Sequence, residues 1–338
     1  MRALKLMSKT VNIEDVARRA GVSAATVSRV INNHSGVREQ NRIKVQQVID
    51  ELGFRPNIIA RQLVRGRSNT ISMVIPRYEG IFYSHYAIEI LRGVGMACEN
   101  LEMDLLLHIV DERSKLNLTG IGGVIFSEML PDSAQLKHAL ALHVPAVLMN
   151  NLVQDLDVTC VTINNQQAAI EAVNYLIDLG HRDIAYISGG FATQAALERT
   201  RGFKAAMEKR DIPVPEEFVV HGDYSRKSAR EATERLLSLE HRPTAIFAAS
   251  DDMAQEAVSV IMEKGLGVPK DISVVGFDDS PVSVYGAVPL TTIHQPLLEM
   301  AKLAVRELDL LIRSSNRINK FSLPTRLIIR ESCRAIRA

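Results

Sequence analysis

Residues Val11 to Asn32 read VNIEDVARRAGVSAATVSRVIN, and the rest of the chain is interpreted outward from them. Ile13, Val16 and Ala17 recur at i, i+3 and i+4 with Arg18 and Arg19 off that face, the spacing of one amphipathic helix. Gly21 ends it. Ser23 is placed to cap a second helix, in which Val27, Val30 and Ile31 lie on one side and Thr26, Ser28 and Arg29 on another. By periodicity alone, two short core helices around a glycine turn would read the same way. They also have the form of a helix-turn-helix, whose second helix enters the major groove with its N-terminal residues nearest the base edges.

A third helix is predicted over Glu39 to Leu52, burying Val45, Val48, Ile49 and Leu52. In the following stretch, GFRPNIIARQLVRGRSNT, Gly53 closes that helix, Pro56 opens another short helical segment and Gly66 ends it. The chain's net charge of +1 conceals a division. Residues 1–67 carry 13 Lys and Arg against 5 Asp and Glu, and the remainder carries 27 against 34. A basic head on an acidic body suits a phosphate-binding module joined to a domain that does not bind nucleic acid.

With 338 residues, 46% hydrophobic and 23% charged, the composition is that of a globular protein of two or three domains. Cys98, Cys160 and Cys333 stand apart from one another and from any zinc-binding spacing, so buried thiols in a reducing cytoplasm are expected, with no metal and no cofactor. The start MRALKLMSKT lacks the apolar core of a signal peptide, and no run approaches the roughly 18 apolar residues of a membrane span.

From Thr70 onward the pattern changes. Apolar, β-branched runs at Ile71–Ile75, Leu105–Val110, Val124–Phe126, Ala146–Met149, Ile184–Ile187, Ala245–Ala249 and Ile272–Phe277 read as buried strands. Between most of them lie amphipathic helices, such as Ala168–Leu179, Glu198–Lys209, Ser228–Leu237 and Met253–Lys264. That alternation predicts more than one parallel sheet with helices on both faces. In open sheets of this kind, ligands sit beyond the carboxyl ends of the strands. Several strand ends carry suitable groups: Asn150 after AVLM, Ser250 and Asp251 after AIFAA, and Asp278 after ISVVGF. An Asp in such a place is often only the cap of the next helix.

VARRAGVSAATVSRVIN followed by GFRPNIIARQL resembles the DNA-binding headpiece and hinge of the lactose-repressor (LacI/GalR) family of bacterial transcription regulators. LIDLGHRDIAYISGG, RTRGF, ASDDMA, VVGFDD and PLTTIHQP extend the likeness over nearly the whole chain. The resemblance implies a small all-α helix-turn-helix headpiece (1–56), a hinge helix and linker (57–69), and a periplasmic-binding-protein-like α/β body of two doubly wound parallel-sheet lobes. Their expected spans are about 70–164 with 295–323, and about 165–294 with 324–338. It implies no enzyme, and none of the nucleophile-elbow, P-loop, GxGxxG or HExxH patterns stands in a supporting context.

The same resemblance assigns roles. Ala24, Ala25 and Arg29 meet base edges, of which only Arg29 can bind guanine in a bidentate way. Ser23, Thr26, Ser28 and Asn32 hold phosphates, and the hinge segment with Asn57 and Ala60 brings Leu63 into the minor groove. Asp278 and Arg199 hydrogen-bond a small-molecule effector, Tyr224 is an aromatic wall of its pocket, and Tyr86 is the best placed of Phe82, Tyr83 and Tyr86 for the opposite wall. An acid, an arginine and an aromatic face suit a polyhydroxylated ring, so a sugar is the first expectation and a nucleoside or purine the second. The expected partners are a pseudo-palindromic double-stranded operator, that effector and a second copy of the chain; no heptad tail suggests a tetramer. A solute-binding protein and an enzyme using the cleft are the competing classes.

The chain departs from the family in three places, one of them the aromatic pair at the cleft, blurred here among Phe82, Tyr83 and Tyr86. Only DERSKLNLTGIG joins the strands LLLHIV and GVIF, where a full helix is usual, so this lobe is expected to lack a helix. Asn164 stands where Asp is usual.

Overall fold

The computed structural model describes residues 11–31, 35–54, 68–77, 81–111, 113–128, 133–190, 193–313 and 317–336, with Tyr83 described by its backbone only. The chain divides into two compact units, Met1–Ser68 and Asn69–Ala338. In the first, α1 (Ile13–Ala20) starts at a capping box: Asp15 N donates to Asn12 Oδ1 at 2.9 Å, and Asn12 N donates to Asp15 Oδ2 at 3.1 Å. Reciprocal bonds of this kind satisfy two donors that a helix start leaves open. Gly21 ends α1 at φ 66°, a left-handed conformation that costs a residue with a Cβ more than glycine. Next come α2 (Ala24–Ile31) and α3 (Glu39–Leu52), and Val16, Ala17, Val27, Val30, Val45 and Val48 form the buried centre of the three helices.

In the second unit, β1 (Thr70–Pro76), β2 (Asp104–Val110), β3 (Gly123–Ser127), β4 (Ala146–Met149), β5 (Thr159–Ile163) and β11 (Lys320–Leu323) form a parallel sheet in the order β11-β5-β4-β3-β1-β2. Side chains alternate across it. Ile71, Met73 and Ile75 of β1 pack toward α4 (His85–Asn100) and α11 (Leu297–Ile312), whereas Val74 joins Leu136 of α5 (Ala134–Ala141) on the other face. Between β2 and β3 the described residues contain no helix. An extended strap runs there instead, burying Leu116 and Leu118 against Val74, Val124 and Phe126. Gln135 ties the strap to α5 by donating through Nε2 to Asp111 O at 2.8 Å and Ser114 O at 3.0 Å.

A second parallel sheet has the order β7-β6-β8-β9, from β6 (Ile184–Ser188), β7 (Val219–His221), β8 (Ala245–Ala248) and β9 (Ser273–Val275). α6 (Asn165–Asp178) packs on α7 (Gln194–Lys209), and α8 (Arg226–Leu237) on α9 (Asp251–Glu263). A short turn of helix, α10 (Val282–Tyr285), follows β9. The chain leaves the large sheet after β5, returns to it through α11, and leaves again after β11. At the last two passages β10 (Thr292–His294) and β12 (Arg326–Ile328) pair antiparallel, Ile293 opposite Leu327. Asn164 caps α6 by accepting from Gln167 N at 2.9 Å, the task an aspartate would perform there. Among the described residues, no helix is long and apolar enough to cross a membrane.

Candidate functional site

In the headpiece, Ser23 Oγ accepts from Thr26 N at 3.2 Å and lies 2.9 Å from Thr26 Oγ1, so both hydroxyls take part in starting α2. Ala25 and Arg29, one helical turn apart, are exposed, while Ala24, Thr26 and Ser28 are half-buried and Val27 and Val30 face inward. The outer face of α2 thus offers one methyl and one guanidinium. Asn32, Asn57, Ala60 and Leu63 lie outside the described residues.

Between the two sheets of the body lies a cavity of about 740 Å³. Ser84, His85, Tyr86 and Glu128 line it from the large-sheet side. Arg199, Tyr224, Ser250, Asp252, Asp278 and the start of α8 line it from the other. Arg199 is 3% exposed; its Nε donates to Asn165 Oδ1 at 2.9 Å, its Nη1 to Ala249 O at 2.6 Å, and its Cζ sits 3.6 Å from the centre of the Phe277 ring. Stacking and two bonds leave the guanidinium one orientation. Asp278 accepts from Gln295 Nε2 at 2.5 Å. Burial pushes its carboxyl well above the usual range, with Asp251 adding to the shift and Arg199 opposing it. The Tyr224 ring lies over Gly189, where a Cβ would fall 2.0 Å from Cζ, and burial pushes the phenol up to about 12. Tyr86 reaches Ser127 Oγ at 2.8 Å from the opposite wall, whereas Phe82 is exposed.

Glu128, Asn150, Tyr224 and Asp278 have φ of 56°, 57°, 68° and 123°. Non-glycine residues seldom adopt such angles, and their concentration around one cavity is a mark of a functional site.

Two expected effector residues stand elsewhere. Asp251 is fully buried, accepting from Ser280 N at 2.7 Å and from Thr292 Oγ1 at 2.6 Å, so its carboxyl holds the lobe together and does not line the cavity. Asn150 lies behind the wall, donating to Glu128 Oε1 at 3.1 Å. Ser250 does reach the lining while capping α9 through Met253 N at 3.4 Å. Sequence reasoning missed Glu128 and His85. Glu128 directly follows the strand GVIFS, so the strand-end rule applied to the other strands would have found it. Burial holds the His85 imidazole below its ordinary value, against the pull of Glu89, Asp252 and Asp279.

Residues 12–57 match the family described as bacterial regulatory proteins, lacI family, and residues 173–333 match the periplasmic binding protein-like domain. Catabolite control protein A of Priestia megaterium is 34% identical over 305 residues, covering 88% of this chain and 91% of that protein. The chain belongs to the lacI family. It is a DNA-binding transcriptional regulator of the kind its relatives are. The repressor PurR of Vibrio campbellii is 35% identical over 301 residues, covering 86% of this chain and 88% of that one. Among solved structures, the lac repressor dimer bound to operator and the anti-inducer ONPF superposes with a TM-score of 0.84 at 28% identity, covering 97% and 100% of the two chains. The complex of the transcriptional regulator CelR with cellobiose gives 0.72 at 31%, covering 95% and 99%. LacI-family membership accounts for both units, the helix-turn-helix and the two-lobed body.

Proposed function

We propose that the chain is a cytoplasmic repressor that binds a pseudo-palindromic operator as a homodimer and is controlled by a small molecule, first of all a sugar, in the cavity between the lobes. The observation that carries this reading is the convergence of Arg199, Asp278, Tyr224 and Tyr86 on one cavity. Fixed polar groups orient ring hydroxyls, and an aromatic face packs against apolar C–H groups. The cellobiose complex of CelR, a relative of similar fold, supports a carbohydrate. A purine or nucleoside is the second reading, favoured by the buried ring of Tyr224 and by the likeness to PurR.

Because the cavity is lined from both lobes, a ligand there binds some lobe arrangements more tightly than others and shifts the protein toward them by that difference alone. By linkage, operator DNA must change ligand affinity by the same factor. Arg29 reads a base, Ala25 offers a methyl contact with Ala24 half-buried beside it, and Asn57, Ala60 and Leu63 serve the hinge in the minor groove. The test is a melting screen of the protein against sugars, nucleosides and purines, followed by an operator gel shift with and without the hit. A ligand at a hundred times its dissociation constant adds about 2.7 kcal/mol. Asp278→Asn is expected to keep operator binding and lose the ligand response; a retained response would put the pocket elsewhere.

A further inference from the structure

Glu128 occupies a position that the general plan of the cavity does not account for. Its backbone N–H is held by Met149 O at 3.1 Å, and its left-handed φ of 56° turns the side chain off the end of β3 into the cavity wall. From there a chain of hydrogen bonds runs across the first passage between the lobes. Arg199 Nε donates to Asn165 Oδ1 at 2.9 Å, Asn165 Nδ2 to Asn150 Oδ1 at 3.3 Å, and Asn150 Nδ2 to Glu128 Oε1 at 3.1 Å. An arginine can only donate, so the Arg199 end fixes the direction of the relay and the orientation of both amides; burial pushes the Glu128 carboxyl above its ordinary range, against the pull of Arg199 and the bond from Asn150. Oε1 is thereby engaged, and Oε2 is left to the ligand.

The acceptor groups around the cavity point the same way. Glu128, Asp223, Glu231, Asp252 and Asp278 outnumber Arg199, Arg226 and Lys227 in the lining, though burial holds the carboxyls of Glu128, Asp252 and Asp278 above their ordinary range. Two of those cations are already committed. Arg226 binds Glu256 through Nε at 2.8 Å and Nη2 at 2.7 Å, and Arg199 spends two of its nitrogens on Asn165 and Ala249. At the start of α8, two donors are occupied. Ser225 N goes to Asp223 Oδ1 at 2.9 Å and Ser228 N to Ser225 Oγ at 3.1 Å. A phosphate or carboxylate brought to the Glu128 wall would meet an acceptor where it needs a donor.

We propose that Glu128 is a specificity-determining residue of this cavity, and that it selects an uncharged, hydroxyl-rich ligand over sugar phosphates and uronates. This rests on the effector reading above and goes beyond it by naming the charge class and the residue that enforces it. The remaining oxygen of Glu128 accepts a ligand hydroxyl, and the same oxygen repels an anionic substituent brought to that wall.

The experiment uses the full chain and its Glu128→Gln variant, titrated calorimetrically with glucose, cellobiose, glucose 6-phosphate, glucuronate and adenosine. The substitution is not expected to disturb the fold, because the amide oxygen of the introduced glutamine can still accept from Asn150. Wild type is expected to bind at least one neutral probe and to bind the phosphate and the uronate at least tenfold more weakly. In the variant, neutral binding should weaken and the neutral-to-anionic ratio should shrink, each on the order of tenfold, the worth of one hydrogen bond to a charged group. An anionic probe binding wild type as tightly as glucose or cellobiose overturns the proposal, and so does an unchanged ratio in the variant. Adenosine alone binding would overturn the carbohydrate reading but leave the exclusion of anions standing if adenosine 5′-phosphate, added as a sixth probe, fails to bind. If no probe binds, the effector reading falls and this one with it.

Discussion

Removing the Asp251 carboxyl separates a structural role from a ligand-binding one. Its two oxygens accept from Ser280 N at 2.7 Å and Thr292 Oγ1 at 2.6 Å, and all three residues are buried. Asp251→Ala leaves both donors without water and without a partner. Each stranded group costs about 1–3 kcal/mol, so the variant should lose roughly 2–6 kcal/mol. At about 2–4 °C per kcal/mol for a unit of this size, the melting temperature should fall by roughly 4–24 °C. Asp251→Asn should behave differently. Its carbonyl oxygen can take Ser280 N, and its amide can donate to Thr292, whose hydroxyl also accepts. Burial pushes the Asp251 carboxyl up to about 7, against the hydrogen bonds that favour its ionised form. Between its ordinary value near 3.8 and that raised one the folded state binds more protons than the unfolded. Its contribution to stability is therefore greatest at acid pH and declines as pH rises toward 7. The Asn variant lacks that decline, so it should gain on wild type in thermal melts stepped from pH 4 to pH 7.5. An Ala variant melting within a degree of wild type would refute the structural assignment. An Asn variant that melts normally but no longer responds to ligand would return Asp251 to the binding site.

Arg29→Ala should relax base preference at one position in each half-site, at a cost of about 1–3 kcal/mol in discrimination; a binding-site selection profile identical to wild type would remove Arg29 from base reading. At Gly202 a Cβ would fall 2.4 Å from Gln166 O and 2.7 Å from Ala169 Cβ, so Gly202→Ala must push α6 and α7 apart. Calorimetry should record a loss of about 1–3 kcal/mol, and an unchanged transition would mean that the helices separate freely. His181 lies within 3.0 Å of both Thr244 Oγ1 and Ser273 Oγ, and burial lowers its pKa from 6.5. Its contribution is complete above pH 6.5 and is lost as pH falls through that value toward the folded one, because the unfolded imidazole takes up the proton first. Urea midpoints at pH 7.5 and 5.5 should differ by less in His181→Gln than in wild type; an equal difference would assign the acid sensitivity to other groups.

The headpiece was legible because its signals are local. Gly21 and Ser23 punctuate two periodic runs, and the helix predicted over Glu39–Leu52 has those bounds in the structure. Ala146–Met149 is likewise the strand its residues predict, and the lack of a helix among the described residues between β2 and β3 was expected from the shortness of DERSKLNLTGIG beside the full helix usual in the family. Other features depend on tertiary context. β10 and β12 are three residues each, too short to carry a period, and form only because two passages between the lobes run side by side. Asp251 and Asp252 are adjacent at a helix start, and nothing local tells which one turns inward; the structure buries Asp251 and gives Asp252 to the cavity. Alpha-helical residues Leu297–Ile312 return to the large sheet through topology that no single window of sequence contains.

Left-handed backbone at Glu128, Asn150, Tyr224 and Asp278 sets resilience of the fold against responsiveness to ligand. Each such residue costs on the order of 1–3 kcal/mol that glycine would largely recover. A library selected only for surviving heat should therefore accumulate glycine at these positions, becoming hardier while losing the side chains that face or brace the cavity. Alternating that selection with one for a ligand-dependent change in DNA binding should restore them, so the wall of the cavity is where thermal hardiness and sensing compete for the same residues.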